Sequence, residues 1–162
     1  MFCSSFYKLI AIRIISLHNR EQLGRITELV ESGKAEGACC WQSGQKLPKN
    51  GFWFAPTIFT DCAQSHRVVQ EEIFGPVLAV QTFRTPKEAL EKANNTPYGL
   101  SGGVWTDKGS KIFKITTSLN AGVVWANTYN KFDPTSPFGG YKESGFGREG
   151  GLQGLAAYLK LD

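Results

Sequence analysis

Two adjacent carboxylates and an aromatic ring come just before a Gly-Pro corner in this sequence. They are Glu71 and Glu72, followed by Phe74 and Gly75. Carboxylate oxygens can accept the hydrogen bonds of a ribose diol, an aromatic ring can lie against a flat heterocycle, and glycine lets backbone approach closely. The segment is therefore a candidate site for a nucleoside-containing ligand. An acidic turn that only precedes a strand is the alternative that its chemistry leaves open.

A long stretch rich in glycine and aromatic residues is the second candidate. Residues 128–149 are predicted to lack regular structure, and such a loop in a compact domain is usually functional or disordered. Its aromatic content argues against disorder. Phe138 could line a substrate tunnel or close the loop against the sheet. Arg148 and Glu149 could hold the loop through its backbone, or form an exposed ion pair of little energetic consequence.

The cysteines offer weaker chemistry. There are four, without C-x-x-C spacing: Cys3, Cys39, Cys40 and Cys62. With only two histidines beside them, the sequence gives no metal-ligand set, and we predict no metal site. Cys39 and Cys40 could supply a nucleophile, but no base is evident near either. Packing is therefore favoured for both, and thiols in a reducing compartment are the simplest interpretation.

Composition excludes several classes of protein. The chain has 162 residues, of which 41% are hydrophobic and 20% charged, which suits one compact globular domain. Its net charge of +4 is concentrated in residues 1–20, where three basic residues stand without an acid, so no basic face for nucleic acid is expected. No uncharged apolar run is long enough to span a bilayer, and we expect no membrane partner.

Hydrophobic periodicity, caps and turn residues predict the elements that position these groups. Helices are expected over residues 19–32, 85–94 and 107–119, with Gly33 at the end of the first and Asp107 capping the last. Strands are expected over residues 77–83, 100–106 and 123–127. This alternation is typical of βαβ crossovers, so the predicted fold class is α/β with a parallel sheet.

Ligands of such sheets bind outside the carboxyl ends of the strands. In this sequence, the segments that follow the predicted strands begin after Phe83, Trp105 and Asn127. The segment after Asn127 is the long loop. The aromatic segment 52–59 is predicted to be extended, and its Pro56 favours an edge or irregular strand.

Three segments together resemble the aldehyde dehydrogenase superfamily, in order and at the family's spacing. They are residues 71–77 (EEIFGPV), 93–100 (ANNTPYGL) and 137–149 (PFGGYKESGFGRE). Residues 30–37 and 51–61 add to the resemblance, which covers residues 21–162. Among subfamilies, the amino-acid sequence of these segments is most similar to family 16.

The resemblance implies part of the family's catalytic domain, and NAD or NADP with an aldehyde substrate in the complete enzyme. In that family a cysteine thiolate attacks the aldehyde, hydride passes to the nicotinamide, and water releases the acid with help from a glutamate base. The residue roles that the resemblance implies are cofactor binding by Glu72 and Phe74, tunnel walls at Phe132 and Phe138, and support of the active-site loop by Asn127 and Glu149.

The family's Rossmann-type domain, nucleophilic cysteine and glutamate base have no counterpart in these segments. We therefore expect a carboxyl-terminal part of an enzyme, inactive alone, with no catalytic residue of its own and weak or no cofactor binding. A homo-oligomer is expected; the alternative function is a non-enzymatic module that associates with full-length subunits.

Residues 1–20 form a segment distinct from 21–162. A targeting presequence and a short buried strand around residues 9–15 are both open interpretations. A cytoplasmic location is expected, and a mitochondrial one stays open.

Overall fold

The computed structural model describes residues 16–160, and the chain divides into two compact units. The first unit ends at Thr82 and the second begins at Phe83. The possible strand around residues 9–15 lies outside the described residues. No helix in the described range is long and apolar enough to cross a bilayer.

The first unit opens with helix α1, Arg20–Ala35, which confirms the predicted helix and extends it by three residues. Asn19 caps it by accepting a hydrogen bond from the Gln22 N–H at 2.8 Å. Gly33 was predicted at the helix end but lies inside the helix. A Cβ there would come within 2.8 Å of Val68 Cγ1, so this glycine serves close packing, and Gly37, at φ +91°, follows the helix instead.

A three-stranded sheet packs against α1. Its strands are β1 (Cys39–Gln42), β2 (Thr57–Thr60) and β3 (Val77–Ala79), in that order, with the short helix α2 (Arg67–Gln70) between the last two. β2 runs antiparallel to β1 and parallel to β3. The core lies on this sheet, where Phe59 is fully buried with Ile26, Leu29, Val30 and Val68.

Two predictions for this unit are wrong in detail. The segment with Pro56 provides the central strand of the sheet, not an edge, because the proline stands just before β2 and takes no ladder hydrogen bond away. The strand predicted over 77–83 ends at Ala79, the last residue that pairs with β2, opposite Phe59.

The second unit contains helices α3 (Pro86–Asn94), α4 (Gly109–Ser118) and α5 (Gly151–Ala156), with strands β4 (Tyr98–Gly99), β5 (Ser101–Val104), β6 (Val123–Ala126) and β7 (Tyr141–Lys142). β5 and β6 pair in parallel and α4 connects them, so this is a βαβ unit. β4 and β7 pair antiparallel, and β7 lies within residues 128–149, so the prediction that this loop lacks regular structure is wrong at that point. The α/β class is confirmed, with parallel pairs β2–β3 and β5–β6 instead of one continuous series.

Of the two helix caps predicted in the second unit, one is confirmed and one is wrong. Thr85 caps α3 as predicted, accepting from the Glu88 N–H, and Pro86 occupies the first turn. Asp107 does not cap α4. That helix starts later, with Lys108 at the cap position and no side-chain cap, while Thr106 Oγ1 accepts from the Lys108 N–H at 3.3 Å.

Candidate functional site

The two adjacent carboxylates have different environments. Glu71 forms a two-pronged ion pair with Arg67, whose Nε and Nη2 donate to its carboxylate at 2.6 and 3.2 Å. The same guanidinium reaches Glu28 on α1 at 2.9 Å. The hydrogen bonds from Arg67 lower the pKa of the Glu71 carboxyl, so it stays ionised and holds the guanidinium that links α2 to Glu28 on α1.

Glu72 has no such ion pair among the described residues. Its side chain is exposed, and within residues 16–160 its carboxylate has no hydrogen-bond or ion-pair partner. Its backbone is fixed, because Arg25 Nη2 on α1 donates to the Glu72 carbonyl at 3.3 Å. Sequence chemistry could not separate the two acids; the position of Arg67, four residues before Glu71, is the signal that distinguishes them.

Phe74 is held in an unusual backbone conformation. Its φ is +54°, in the left-handed region that bulky residues rarely adopt, and its ring is 69% exposed. Gln22 Nε2 donates to its carbonyl at 2.6 Å. Gly75 next to it packs so closely on α1 that a Cβ would meet the Ile26 side chain, with Cγ1 at 2.7 Å. Contacts with helix α1 therefore fix the turn that leaves the Phe74 ring exposed.

A cleft of about 390 Å³ opens beside this turn. Its lining is mixed polar and apolar: Val68, Glu71, Glu72, Ile73, Phe74, Gly75, Val77 and Ala79. The structure thus brings the two predicted cofactor-binding residues, Glu72 and Phe74, to one cleft. An unpaired acceptor beside an aromatic face and aliphatic walls suits a ribose joined to a flat ring.

The two predicted tunnel residues belong to one set of packed rings, here called the aromatic cluster: Trp105, Trp125, Tyr129, Phe132 and Phe138. Phe132 meets Phe138 edge-on with centroids 5.0 Å apart, and meets Trp125 edge-on at 5.6 Å. Trp125 is buried on β6, and its Nε1 donates to the Lys131 carbonyl at 2.9 Å. It anchors the cluster.

Sequence reasoning missed Trp105 and Tyr129 as members of this cluster. Tyr129 meets Trp125 edge-on at 5.1 Å and lies 6.4 Å from Trp105. The available signal was their position, since both follow the carboxyl end of a strand.

Asn127 closes the ends of β5 and β6. Its Oδ1 accepts from the Thr106 N–H at 2.9 Å, and its Nδ2 donates to the Thr106 carbonyl at 3.0 Å. Its φ of +51° lies in the left-handed region, which asparagine tolerates better than most residues. The structure therefore gives Asn127 a bracing position at the start of the long loop.

Arg148 and Glu149 hold the far end of that loop through backbone atoms. Arg148 Nη1 donates to the carbonyls of Gly140 and Gly147, both at 2.8 Å. Glu149 exchanges two backbone hydrogen bonds of 2.7 Å with Phe138. The carboxylate of Glu149 is exposed and has no partner within the described part of the chain, so the contacts seen here come from its main chain and not from the predicted carboxylate.

Comparison with known proteins decides the family. The model of the aldehyde dehydrogenase family matches residues 11–162, which begins upstream of residue 21. This chain belongs to that family. An aldehyde dehydrogenase of Enchytraeus buchholzi is 49% identical over 140 residues, which cover 86% of this chain and 28% of that protein. Betaine aldehyde dehydrogenase of Bacillus subtilis is 43% identical over 150 residues, covering 90% and 30%.

Solved structures agree with this aldehyde dehydrogenase assignment. A crystal structure of indole-3-acetaldehyde dehydrogenase in complex with NAD⁺ superposes with a TM-score of 0.86 at 40% identity, covering 91% of this chain and 30% of that one. The chain thus spans less than a third of the length of these relatives. The finer resemblance to family 16 stays a prediction.

Two of the thiols of this family member lie in surroundings that disfavour the thiolate. Burial raises the pKa of the Cys40 and Cys62 thiols, and both pack against the core of the first unit. Cys39 is exposed on β1. Within residues 16–160 no group of three histidine, cysteine or acidic side chains could hold a metal ion.

Proposed function

We propose that this chain forms the wall around the nicotinamide-side ribose and part of the substrate entrance of an NAD- or NADP-dependent aldehyde dehydrogenase. The observation that carries the proposal is the contrast between Glu71, which is paired with Arg67, and Glu72, whose carboxylate is unpaired in the described chain beside the displayed Phe74. The NAD⁺ complex of the indole-3-acetaldehyde dehydrogenase relative supports the choice of cofactor class.

In this proposal each side chain has a positioning task. Glu72 accepts hydrogen bonds from the ribose hydroxyls, and Phe74 packs beside the same end of the cofactor. The bound dinucleotide supplies the hydride acceptor. No strand predicted from the sequence is directly followed by a G-x-G-x-x-G segment for the pyrophosphate, so these two residues orient one end of the cofactor and contribute little to its overall affinity.

Phe132 and Phe138 form one side of the substrate entrance. Asn127 braces the strand ends beneath them, and the backbone of Glu149 fixes Phe138. Rings held in this way exclude water from an approaching aldehyde without offering a reacting group.

We further propose that the 162-residue chain alone does not oxidise aldehydes. A protonated thiol is a poor nucleophile, and burial favours the protonated form of Cys40 and Cys62. The test is to incubate the purified chain with propanal or benzaldehyde and NAD⁺ or NADP⁺ and follow absorbance of the reduced nucleotide. Turnover that disappears in Cys39→Ser, Cys40→Ser or Cys62→Ser would overturn this part of the proposal.

The role of Glu72 is tested in a chimera. In it, the matched 150 residues of the Bacillus subtilis relative are replaced by those of this chain. Glu72→Gln is expected to slow single-turnover hydride transfer by about 100-fold while weakening NAD⁺ binding much less, because a misplacement of about 1 Å is costly. The matched control is Glu91→Gln, an exposed glutamate on α3. An unchanged transfer rate in Glu72→Gln would refute the assignment.

A second candidate function is association with full-length subunits. It is favoured by the apolar side chains that stand exposed in the second unit, among them Phe113, Phe146 and Tyr158. Gel filtration of the chain with and without a full-length relative tests it, and co-elution is the expected result. Separate elution of the two proteins would exclude this candidate.

A further inference from the structure

We propose that Asn50 is a modification site, at which the side chain condenses with the backbone nitrogen of Gly51, loses ammonia and becomes mainly isoaspartate under the direction of Trp53. The proposal concerns the first unit and does not rest on the proposed function. Asn50 is the one asparagine of the sequence that precedes a glycine. Because glycine has no side chain, the backbone can close into a cyclic imide at little steric cost.

Both reacting groups are accessible. Asn50 and Gly51 are exposed in the loop that joins β1 to β2. Within residues 16–160, neither the side-chain amide of Asn50 nor the N–H of Gly51 makes a hydrogen bond. The side chain can therefore rotate toward the following nitrogen without losing a contact.

Two other asparagines are restrained and provide an internal comparison. Asn94 Nδ2 donates to the Ser118 carbonyl at 2.9 Å, and its Oδ1 accepts from the Asn120 N–H at 2.8 Å. Asn127 is bonded to Thr106 through both side-chain atoms. Each of these amides would have to give up two hydrogen bonds to reach the following nitrogen. We therefore expect both to stay unmodified while Asn50 reacts.

Trp53 places a donor on the carbonyl between the two reacting residues. Its Nε1 donates to the Asn50 carbonyl at 2.7 Å, and a Cβ on Gly51 would lie 2.9 Å from the same nitrogen. When the Gly51 nitrogen loses its proton, amide resonance shares the negative charge with this carbonyl oxygen. A positioned donor stabilises such a charge, so the indole N–H makes the nitrogen easier to deprotonate.

The reaction has two steps. In the first, the deprotonated Gly51 nitrogen forms a bond to Asn50 Cγ, the bond from Cγ to Nδ2 breaks, and the leaving nitrogen takes up one proton and departs as ammonia. In the second, water adds to one carbonyl carbon of the cyclic imide and breaks the bond from that carbon to the Gly51 nitrogen. Opening at the backbone carbonyl gives isoaspartate, whereas opening at Cγ gives aspartate.

Trp53 favours opening at the backbone carbonyl. Addition of water creates an oxyanion, and the indole N–H already points at the oxygen on which that charge would develop. Opening there also turns the same oxygen into part of a carboxylate, which accepts a hydrogen bond more strongly than a neutral carbonyl does. The position of the indole therefore predicts isoaspartate as the main product.

The experiment ages the folded 162-residue chain in neutral buffer and follows it by mass spectrometry. The mass should rise by about one dalton, because a carboxylic acid replaces an amide. Cleavage after glutamate releases residues 37–71, in which Asn50 is the only asparagine, and fragmentation locates the change. Isoaspartate is measured with a protein-isoaspartate methyltransferase and labelled S-adenosylmethionine, and we expect it to exceed aspartate.

Variants test the parts of Gly51 and Trp53. Gly51→Ala should slow the loss of ammonia about tenfold, because a Cβ crowds the attacking nitrogen. Trp53→Phe should slow it by about two- to tenfold and lower the ratio of isoaspartate to aspartate by a similar factor, the range for one lost hydrogen bond. Trp105→Phe is the matched control, an exposed tryptophan of the second unit, and should change neither.

A second measurement needs no variant. Urea unfolds the chain and removes the contact between Trp53 and the Asn50 carbonyl, so the ratio of isoaspartate to aspartate should fall in unfolded wild type as it does in Trp53→Phe. Circular dichroism checks that each variant folds in buffer.

Three results would overturn the proposal. The first is no gain in mass at Asn50 in the folded chain, and the second is an equal gain at Asn94 or Asn127. The third is the same ratio of the two products in folded wild type, in Trp53→Phe and in urea. None of these results bears on Glu72 or on turnover, so the proposed function is tested separately.

Discussion

Asn127 holds Thr106 through both atoms of its side-chain amide, with hydrogen bonds of 2.9 and 3.0 Å. The pair ties the end of β6 to the end of β5 at the place where the aromatic cluster begins. Because both contacts are to backbone, they fix the course of the chain and not the identity of residue 106.

Removal of this amide should destabilise the second unit. Asn127→Ala loses both hydrogen bonds and places alanine at φ +51°, which we expect to lower the free energy of unfolding by about 1 to 2 kcal/mol in urea titrations. The matched control is Asn130→Ala, at φ +56°, whose side chain makes no hydrogen bond within residues 16–160. If both variants lose the same stability, the Thr106 contacts contribute nothing.

Glu71 should make the first unit sensitive to acid. Its pKa is lowered by Arg67, so its contribution to stability is present above the unfolded value of about 4.3 and is lost as the pH falls through the lowered folded value. Glu71→Gln should reduce the urea midpoint at pH 7, and the difference from wild type should close below about pH 4.

The neighbouring acid provides the control for that measurement. Glu72→Gln removes a carboxylate that has no partner in the described part of the chain, so the midpoint at pH 7 should stay unchanged. A loss as large as that of Glu71→Gln would mean that Glu72 also has a structural role.

Gly75 should be intolerant of a side chain. Gly75→Ala forces a methyl group against Ile26, and we expect a loss of about 1 to 3 kcal/mol in stability, partly recovered in the double variant with Ile26→Ala. Gly24→Ala, on the same helix with no atom within 4 Å of the added Cβ, should instead stabilise by about 0.5 to 1 kcal/mol. Similar losses in both variants would refute the packing argument.

Local signals predicted those elements that depend on local chemistry. The Thr85 cap with Pro86 predicted α3, and the apolar spacing of Leu23, Ile26 and Val30 predicted α1. The features that depend on contacts between residues remote in sequence were not predictable. Strand β3 ends at its last pair with β2, Ala79 with Phe59, and Gly33 serves contacts with Val68 and Phe59, which are remote in sequence.

In the candidate site, too, residue types were predictable and the contacts that hold them were not. Residue type and resemblance identified Glu72 and Phe74, but their backbone is fixed by Arg25 and Gln22, side chains about fifty positions earlier. The aromatic cluster was recognised only in part, because ring contacts across Tyr129, Trp125 and Phe132 depend on the path of a loop that has no periodic pattern.

Arg148 should control proteolysis at the turn that carries Phe146. Phe146 is 96% exposed, and Arg148 Nη1 bonds to its carbonyl as well as to those of Gly140 and Gly147. Arg148→Ala should open the turn, and chymotrypsin should cut after Phe146 about five- to thirtyfold faster, as expected for a loss of one to two kcal/mol. Lys111→Ala is the surface control, and an unchanged rate in Arg148→Ala would exclude this bracing role.

The purified chain should self-associate through its carboxyl-terminal apolar side chains. Leu152 on α5 and Tyr158 beyond it are 80% and 87% exposed, and Leu155 and Leu159 are exposed with them. These four large apolar residues lie within eight positions of one another, and in this chain they are open to water. Light scattering should report more than one chain per particle.

The double variant Leu152→Gln with Tyr158→Gln should lower that average mass, because it removes apolar area from the surface without touching the core. Phe113→Gln removes a comparable exposed ring from α4 and serves as the control. A monodisperse wild-type monomer would show that this surface does not drive association. Equal effects of the two sets of substitutions would mean that association follows total exposed apolar area instead of the carboxyl-terminal face.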